Sequence, residues 1–189
     1  MTLRLKILEA TLEIFNEKGP SLTLTDICQV LKISKKTIYT VFKDKEDLLM
    51  EMMDWCFSEI KASEKEIVDD PTLTITEKIK KVIIVLPARY KEFNWRQLAN
   101  VREKYPILHK AMQRRIESDW EGTISLIEQG IEEGVVRPIS TPVLKLMIEA
   151  SIVHFLESDE LEKANIPYPE ALDQMMEILM YGINNSPFE

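Results

Sequence analysis

Apolar residues recur along the whole chain with the 3.6-residue period of amphipathic helices, and we find no strand signal in the sequence. The first such helix begins at Leu3 and ends at Lys18, where Gly19 and Pro20 interrupt the pattern. The periodicity therefore predicts an all-α fold with about nine helices.

Two short helices are predicted next, over residues 24–31 and 35–41. Thr23, followed three residues later by Asp26, resembles a capping box at the start of the first. Ser34 is a suitable N-cap for the second. Two helices of this length joined by a short turn match a helix-turn-helix. The first of them is expected to bury three apolar residues: Ile27, Val30 and Leu31.

Longer helices are predicted over residues 45–68, 74–92, 105–134, 141–156 and 168–183. Pro87 either kinks or ends the second of these, and residues 94–103 form a short helix or an irregular connection. From Val143 to Leu156 the chain is apolar almost all round, which implies burial on more than one side.

Composition excludes several classes of protein. Five glycines in 189 residues argue against folds with many tight turns or Gly-rich phosphate loops. Cys28 and Cys56 lack metal-ligand spacing and are read as core residues. His109 and His154 are 45 positions apart and suggest no catalytic arrangement, so we expect no enzyme activity, metal or cofactor. No apolar run reaches the roughly 18 residues of a membrane span, and we expect a soluble, cytoplasmic protein.

The net charge of −8 by itself argues against nucleic-acid binding, but the charge is unevenly distributed. Residues 1–47 hold eight basic and seven acidic side chains, whereas residues 48–189 hold 16 basic and 25 acidic ones. Five lysines lie between Lys32 and Lys45, with Asp44 as the one acid among them. A basic patch at one end of an acidic chain indicates a nucleic-acid-binding end.

The first 49 residues combine several features at fixed spacing. They are the helix that ends at Gly19, the Thr23-capped helix with Asp26-Ile27, the segment Ser34-Lys35-Lys36-Thr37-Ile38-Tyr39, and Phe42, Lys45 and Leu48-Leu49. This series resembles the DNA-binding domain of the TetR family of bacterial transcriptional regulators. The resemblance covers about a quarter of the chain, and the remainder is only weakly similar to that family.

The resemblance implies a division into a helix-turn-helix DNA-binding domain over residues 1–47 and a helical effector-binding and dimerisation domain over residues 48–189. Tyr39 and Lys45 resemble the family's phosphate-binding residues, and Thr40 is free to reach a base edge. Thr23 and Thr25 are expected on the opposite side of the groove. The full set of expected DNA-binding residues is Thr23, Thr25, Ser34, Lys35, Lys36, Thr37, Tyr39, Thr40 and Lys45.

Three positions depart from the family pattern. Lys32 stands where a turn glycine is common, which implies either a left-handed lysine or a different turn. Lys36 and Val41 alter the reading surface, so the operator sequence does not follow from the resemblance. The alternative for the lysines is a solvated charged face, and for Tyr39 a half-buried packing aromatic.

A single such domain makes too few contacts for a specific site, so a homodimer through the last two helices is expected on double-stranded DNA. The resemblance further implies a repressor that a small, largely apolar effector releases from its operator. Candidate pocket residues, which the sequence does not distinguish from ordinary core residues, are Trp55, Tyr90, Trp95, His109, Met112, Trp120, Met147, His154 and Phe155. Two alternatives are a DNA-binding regulator gated by a protein partner and an all-helical enzyme or metal protein.

Overall fold

The computed structural model describes residues 1–183, and every regular element among them is a helix. The longer α-helices are α1 (Leu3–Lys18), α2 (Leu24–Leu31), α3 (Lys35–Tyr39), α4 (Lys45–Asp69), α5 (Ile75–Ile84), α8 (Pro106–Glu117), α9 (Glu121–Glu132), α10 (Thr141–Glu157) and α12 (Tyr168–Ile183). The short ones are α6 (Arg96–Ala99), α7 (Val101–Lys104) and α11 (Glu160–Lys163), with 3₁₀ turns at Gly19–Ser21 and Ala88–Tyr90. The predicted all-α class is confirmed.

The chain forms two compact units, which are interleaved along the sequence. The first consists of Met1–Ser58 and Glu92–Arg115, and the second of Glu59–Lys91 and the chain from Ile116 onward. The predicted boundary at residue 47 is a division by function and stays a prediction.

The first unit is built around α1, whose buried face packs on α2. Phe15 and Phe42 are almost fully buried there, as are Leu48 and Leu49 at the start of α4. Val30 is 54% exposed, so the expected burial of its side chain is wrong. Ile27 is the fully buried residue of α2, because this eight-residue helix packs against neighbouring elements with one face.

The second unit has an apolar core shared by α5, α9, α10 and α12. Gly130 of α9 lies against α5, where an added Cβ would approach Ile75 and Ile79 to within 3.2 and 3.3 Å. The core residues are Ile79, Val82, Leu126, Ile127, Val136, Leu144, Ile148, Leu172, Met175, Met176 and Met180.

The predicted continuous helix over residues 105–134 is wrong, because α8 and α9 are separated by a break at residues 118–120. Asp119 has a left-handed backbone with φ 61°. Trp120 Nε1 donates to the carbonyl of residue 116 at 2.8 Å, and Lys145 Nζ and Lys61 Nζ donate to the carbonyls of residues 117 and 119 at 3.1 and 3.0 Å. These side chains satisfy carbonyls that lose their helical partners at the break.

Other helix ends refine the predicted boundaries. α5 ends at Ile84, three residues before Pro87, so of the two predicted outcomes the proline ends the helix. Residues 94–103 contain the two four-residue helices α6 and α7. α3 ends at Tyr39, two residues earlier than predicted, and a turn leads to α4.

Candidate nucleic-acid interface

The start of α2 is fixed by the predicted capping box. Thr23 Oγ1 accepts from the Asp26 N–H at 3.2 Å, and the Asp26 carboxylate accepts from the Thr23 N–H at 2.7 Å. The same carboxylate binds the Thr23 hydroxyl at 2.8 Å and the Lys18 ammonium at 2.6 Å. Hydrogen bonds from Lys18 and Thr23 lower the pKa of Asp26 to about 2. This end of α2 is therefore held by a charged network.

The turn between α2 and α3 is closed by Lys32 in the left-handed conformation, with φ 54° and ψ 42°. This is the first of the two turn geometries that the sequence left open. Ser34 caps α3 as predicted, since its Oγ accepts from the Thr37 N–H at 3.1 Å.

α3 presents a polar outer face over two buried anchors. Ile38 and Phe42 are each 1% exposed. Lys36, Tyr39 and Thr40 follow the spacing i, i+3, i+4 and are exposed together, with Tyr39 53% exposed. Lys35 is also exposed, and the face therefore combines two ammonium groups with a phenol and a hydroxyl.

The predicted interface hydroxyls take part in local hydrogen bonds. Thr40 Oγ1 donates to the carbonyl of Thr37 at 2.7 Å, and the hydroxyls of Ser34 and Thr37 lie 3.0 Å apart. The Thr23 hydroxyl belongs to the capping box, whereas Thr25 is exposed on α2. A hydroxyl that donates a hydrogen bond within the protein keeps lone pairs that accept one from another molecule. It can also rotate and donate to that molecule instead.

Lys45, which was predicted to bind a phosphate, is half-buried at the start of α4. Its Nζ donates to the carbonyl of Leu22 and to that of Pro20, the latter at 3.2 Å. The same ammonium lies 5.3 Å from the centre of the Tyr105 ring. The structure thus places this charge beside the backbone that leads into α2.

Arg4 is a residue of this region that sequence reasoning missed. Its guanidinium donates to the carbonyl of Val41 at 3.1 Å, pairs with Glu51 and lies 5.0 Å from the centre of the Phe42 ring. It therefore links the turn after α3 to α4. Its place on the polar side of α1 gave no sign of these partners.

Residues 94–104 contact the segment that precedes the helix-turn-helix, which no sequence pattern indicated. The Asn94 N–H donates to Asn16 Oδ1 at 2.6 Å, and Gln97 Nε2 donates to the carbonyl of Glu17 at 3.3 Å. Lys104 Nζ lies 3.4 Å from the Ser21 hydroxyl. The contacts converge on the end of α1 and the 3₁₀ turn before α2.

The nine candidate pocket residues are divided between the two units. Trp55, Trp95, His109 and Met112 belong to the first, and the other five to the second. Tyr90 is buried and donates its hydroxyl to Glu59 Oε2 at 2.6 Å, while Trp120 caps the end of α8. His154 lies on the surface, 3.6 Å from Glu160 Oε2. The pocket itself stays a prediction.

Met147 and Phe155 line an apolar groove of about 320 Å³ in the second unit. Beside this groove, α10 carries an exposed stripe at residues 143, 146, 147 and 150, all of them apolar. Ile178 and Tyr181 of α12 are 74% and 86% exposed. The remaining groove residues are Ser151, Leu161, Ile166, Ala171, Gln174, Met175, Ile178 and Leu179.

The described residues contain no group of three or more His, Cys, Asp or Glu side chains arranged to hold a metal ion. None of the helices within residues 1–183 has the length and apolarity to cross a membrane.

Comparison with known proteins gives consistent matches. The model of a family described as bacterial regulatory proteins, tetR family, matches residues 7–52. The HTH-type transcriptional regulator YvaF of Bacillus subtilis is 24% identical over 178 residues, which are 94% of this chain and 94% of that protein.

Among solved structures, a TetR-family transcriptional regulator from Cytophaga hutchinsonii is 23% identical with a TM-score of 0.71, over 97% of this chain and 96% of its own. FadR of Bacillus subtilis, solved in complex with stearoyl-CoA, is 20% identical with a TM-score of 0.63, over 95% of this chain and 99% of its own. Both share the fold.

Proposed function

The chain belongs to the tetR family of bacterial regulatory proteins, and from this premise we propose that it represses transcription by binding an operator as a homodimer. A small, largely apolar ligand releases it. The observation that carries the DNA-binding role is the exposed face of α3, where Lys35, Lys36, Tyr39 and Thr40 stand over a buried apolar anchor. The protein acts in the cytoplasm, where bacterial DNA lies.

Residues 1–47 read the operator, and residues 48–189 bind the effector and the second subunit. Lys35, Lys36 and Thr40 reach base edges or phosphates in the major groove, and Tyr39 binds a phosphate. Thr23, Thr25 and Lys45 grip the backbone on the other side of the groove. Ser34 and Thr37 complete the contact at the start of α3.

The dimer forms through α10 and α12. A soluble monomer seldom exposes a contiguous apolar surface without function, and the α10 stripe with Ile178 and Tyr181 is such a surface. A two-fold axis through this face pairs it with itself, and the dimer then carries two α3 helices, one for each half-site of a two-fold operator.

The effector is small and largely apolar, and it shifts the population toward an arrangement that binds the operator poorly. The similarity to FadR, solved with stearoyl-CoA, supports an acyl chain as one candidate class. We propose that the effector binds at some or all of the nine candidate pocket residues.

The DNA-binding role is tested with a fluorescent duplex carrying the promoter beside the chain's own gene. We expect wild-type binding to weaken steeply with salt, because bound lysines displace counterions from the phosphates. Lys36→Ala should weaken binding about tenfold with an unchanged dimer fraction. Lys91→Ala, which removes an exposed lysine of the second unit, is the matched control and should bind like wild type.

No detectable wild-type binding at low salt would refute the DNA-binding role. A loss of dimer in Lys36→Ala would mean that this lysine is structural. In the same assay, stearoyl-CoA added to the preformed complex should release the duplex. If neither it nor a series of small, largely apolar ligands changes the affinity, release by an apolar ligand is wrong, while operator binding stands.

A further inference from the structure

We propose that Tyr105 is a positioning residue for DNA binding, acting through Lys45, whose ammonium it holds beside the start of α2. This inference rests on the proposed function, in which Lys45 binds a backbone phosphate. It assigns an operator-binding role to a residue about 60 positions beyond the helix-turn-helix.

Three groups surround the ammonium of Lys45. Two of them are the carbonyls of Pro20 and Leu22, which accept hydrogen bonds from Nζ. The third is the Tyr105 ring, whose centre lies 5.3 Å from Nζ, within the range of a cation–π contact. An ammonium has three hydrogens, and the two carbonyls use two of them, so one remains for a phosphate oxygen.

The Lys45 ammonium lies next to residues that the proposed function places on DNA. Leu22 directly precedes Thr23, which caps α2, and Thr25 lies in the first turn of that helix. Leu22 is fully buried, so its carbonyl is a fixed acceptor. A phosphate that meets the exposed start of α2 is therefore within the neighbourhood of the Lys45 charge.

Tyr105 is itself held firmly. Its N–H donates to the carbonyl of Val101 at 2.8 Å, and its carbonyl accepts from the His109 N–H at 3.0 Å. The following Pro106 disfavours the helical conformation at Tyr105, and the observed φ −136° and ψ 72° end α7 there. Val101 is 2% exposed, which anchors the segment in the first unit.

A held lysine binds phosphate better than a free one. A long flexible side chain loses rotamer freedom when it is ordered on a ligand. The carbonyls and the ring impose that order before DNA arrives, so less entropy is lost on binding. Removing the ring should weaken operator binding only as long as Lys45 is present.

A double-mutant cycle on the promoter duplex tests this coupling. Tyr105→Leu should weaken binding about two- to fivefold, the range of an exposed cation–π contact. In the Lys45→Met background the same substitution should have no further effect. Tyr105→Phe, which keeps the ring, is the matched control and should bind like wild type. Lys45→Met should lower the slope of log affinity against log salt by about 0.9, the value of one phosphate contact.

An equal loss from Tyr105→Leu in both backgrounds would show a merely structural residue and overturn the proposal. An unchanged salt slope in Lys45→Met would overturn it too, because Lys45 would then not bind a phosphate. In both cases the proposed function still holds as long as the wild-type protein binds the duplex. If the wild-type protein does not bind the duplex, the proposed function itself is refuted.

If Tyr105→Leu fails to fold, ring-fluorinated phenylalanines at position 105 replace it. Fluorination weakens the negative face of the ring at nearly constant shape. Operator affinity should then fall with each added fluorine, and an affinity independent of fluorination contradicts the proposal.

Discussion

One carboxylate at the start of α2 serves three partners. Asp26 accepts the Thr23 backbone N–H, the Thr23 hydroxyl and the Lys18 ammonium, all within 2.8 Å. Each partner favours the ionised form, so the pKa falls from its ordinary 3.8 to about 2. The carboxylate therefore links the end of α1 to the start of the helix-turn-helix.

The stability that Asp26 contributes should depend on pH. Because its pKa is lower in the folded protein, the contribution is complete above the ordinary pKa near 3.8 and is lost as the pH falls toward about 2. We expect wild type to be more stable than Asp26→Asn above pH 4, and the difference to shrink across this window. Denaturant midpoints of both proteins at a series of pH values measure it. A difference that does not change with pH would contradict this account.

At the residue scale the sequence predicted what depends on near neighbours. The capping box of Thr23 and the cap at Ser34 followed from residues within a few positions, whereas the left-handed option for Lys32 followed from the resemblance to a family with a glycine at that turn. The partners of Arg4 and Lys45 did not, because Glu51 and Tyr105 lie 47 and 60 positions away and no local pattern identifies them. The predicted DNA contacts themselves remain predictions.

At the scale of elements, the break between α8 and α9 shows why periodicity misses some boundaries. The apolar pattern continues through the break, since Ile116, Trp120 and Ile124 keep helical spacing. The break is stabilised by Lys61 and Lys145, which lie on other helices and bind the freed carbonyls. Periodicity is evaluated within one segment of the sequence, so it gives no information about side chains on other helices that bind the carbonyls at the break.

The contact between α9 and α5 predicts opposite effects for two glycines of the same helix. At Gly130 an added Cβ would lie 2.8 Å from Val136 Cγ2 and 3.2 Å from Ile75 Cγ2 of α5. We expect Gly130→Ala to destabilise the protein by about 1–2 kcal/mol, because overpacking outweighs the gain in helix propensity. At Gly122 nothing lies within 4 Å of an added Cβ, and Gly122→Ala should stabilise by about 0.5–1 kcal/mol.

Urea unfolding of the two variants and wild type provides the comparison. Both substitutions add one methyl group to α9, so a difference in sign reports the packing alone. A stabilising Gly130→Ala would mean that α5 and α9 separate easily, contrary to the close contact seen here.

At the scale of the whole molecule, charge is unevenly distributed along the chain. Residues 1–47 carry a small positive excess, and the rest of the chain carries nine more acidic than basic residues. An acidic body repels DNA, so it discourages non-specific binding and leaves recognition to the basic end. The sequence predicted this uneven charge because charge is read directly from composition. The contacts of residues 94–104 with the end of α1 and the following 3₁₀ turn became visible only in the fold.

The exposed apolar face of α10 and α12 gives the last prediction. Ile178 is 74% exposed in the single chain, and in the proposed dimer its side chain is buried against the second copy. Ile178→Glu would bury an unpaired charge there, so we expect dimer affinity to fall roughly 100-fold, or about 2.8 kcal/mol. The monomer should keep its thermal stability, because a glutamate on an exposed helix face costs little.

Sedimentation equilibrium measures the dimer, with Ser125→Glu on the exposed side of α9 as the matched control. The control adds the same charge outside the proposed interface and should dimerise like wild type. Because one subunit contacts a single half-site, Ile178→Glu should also lose high-affinity operator binding while its α3 face is unchanged. A variant that remains fully dimeric would place the subunit contact on another surface, and the α10 stripe would then need a different partner.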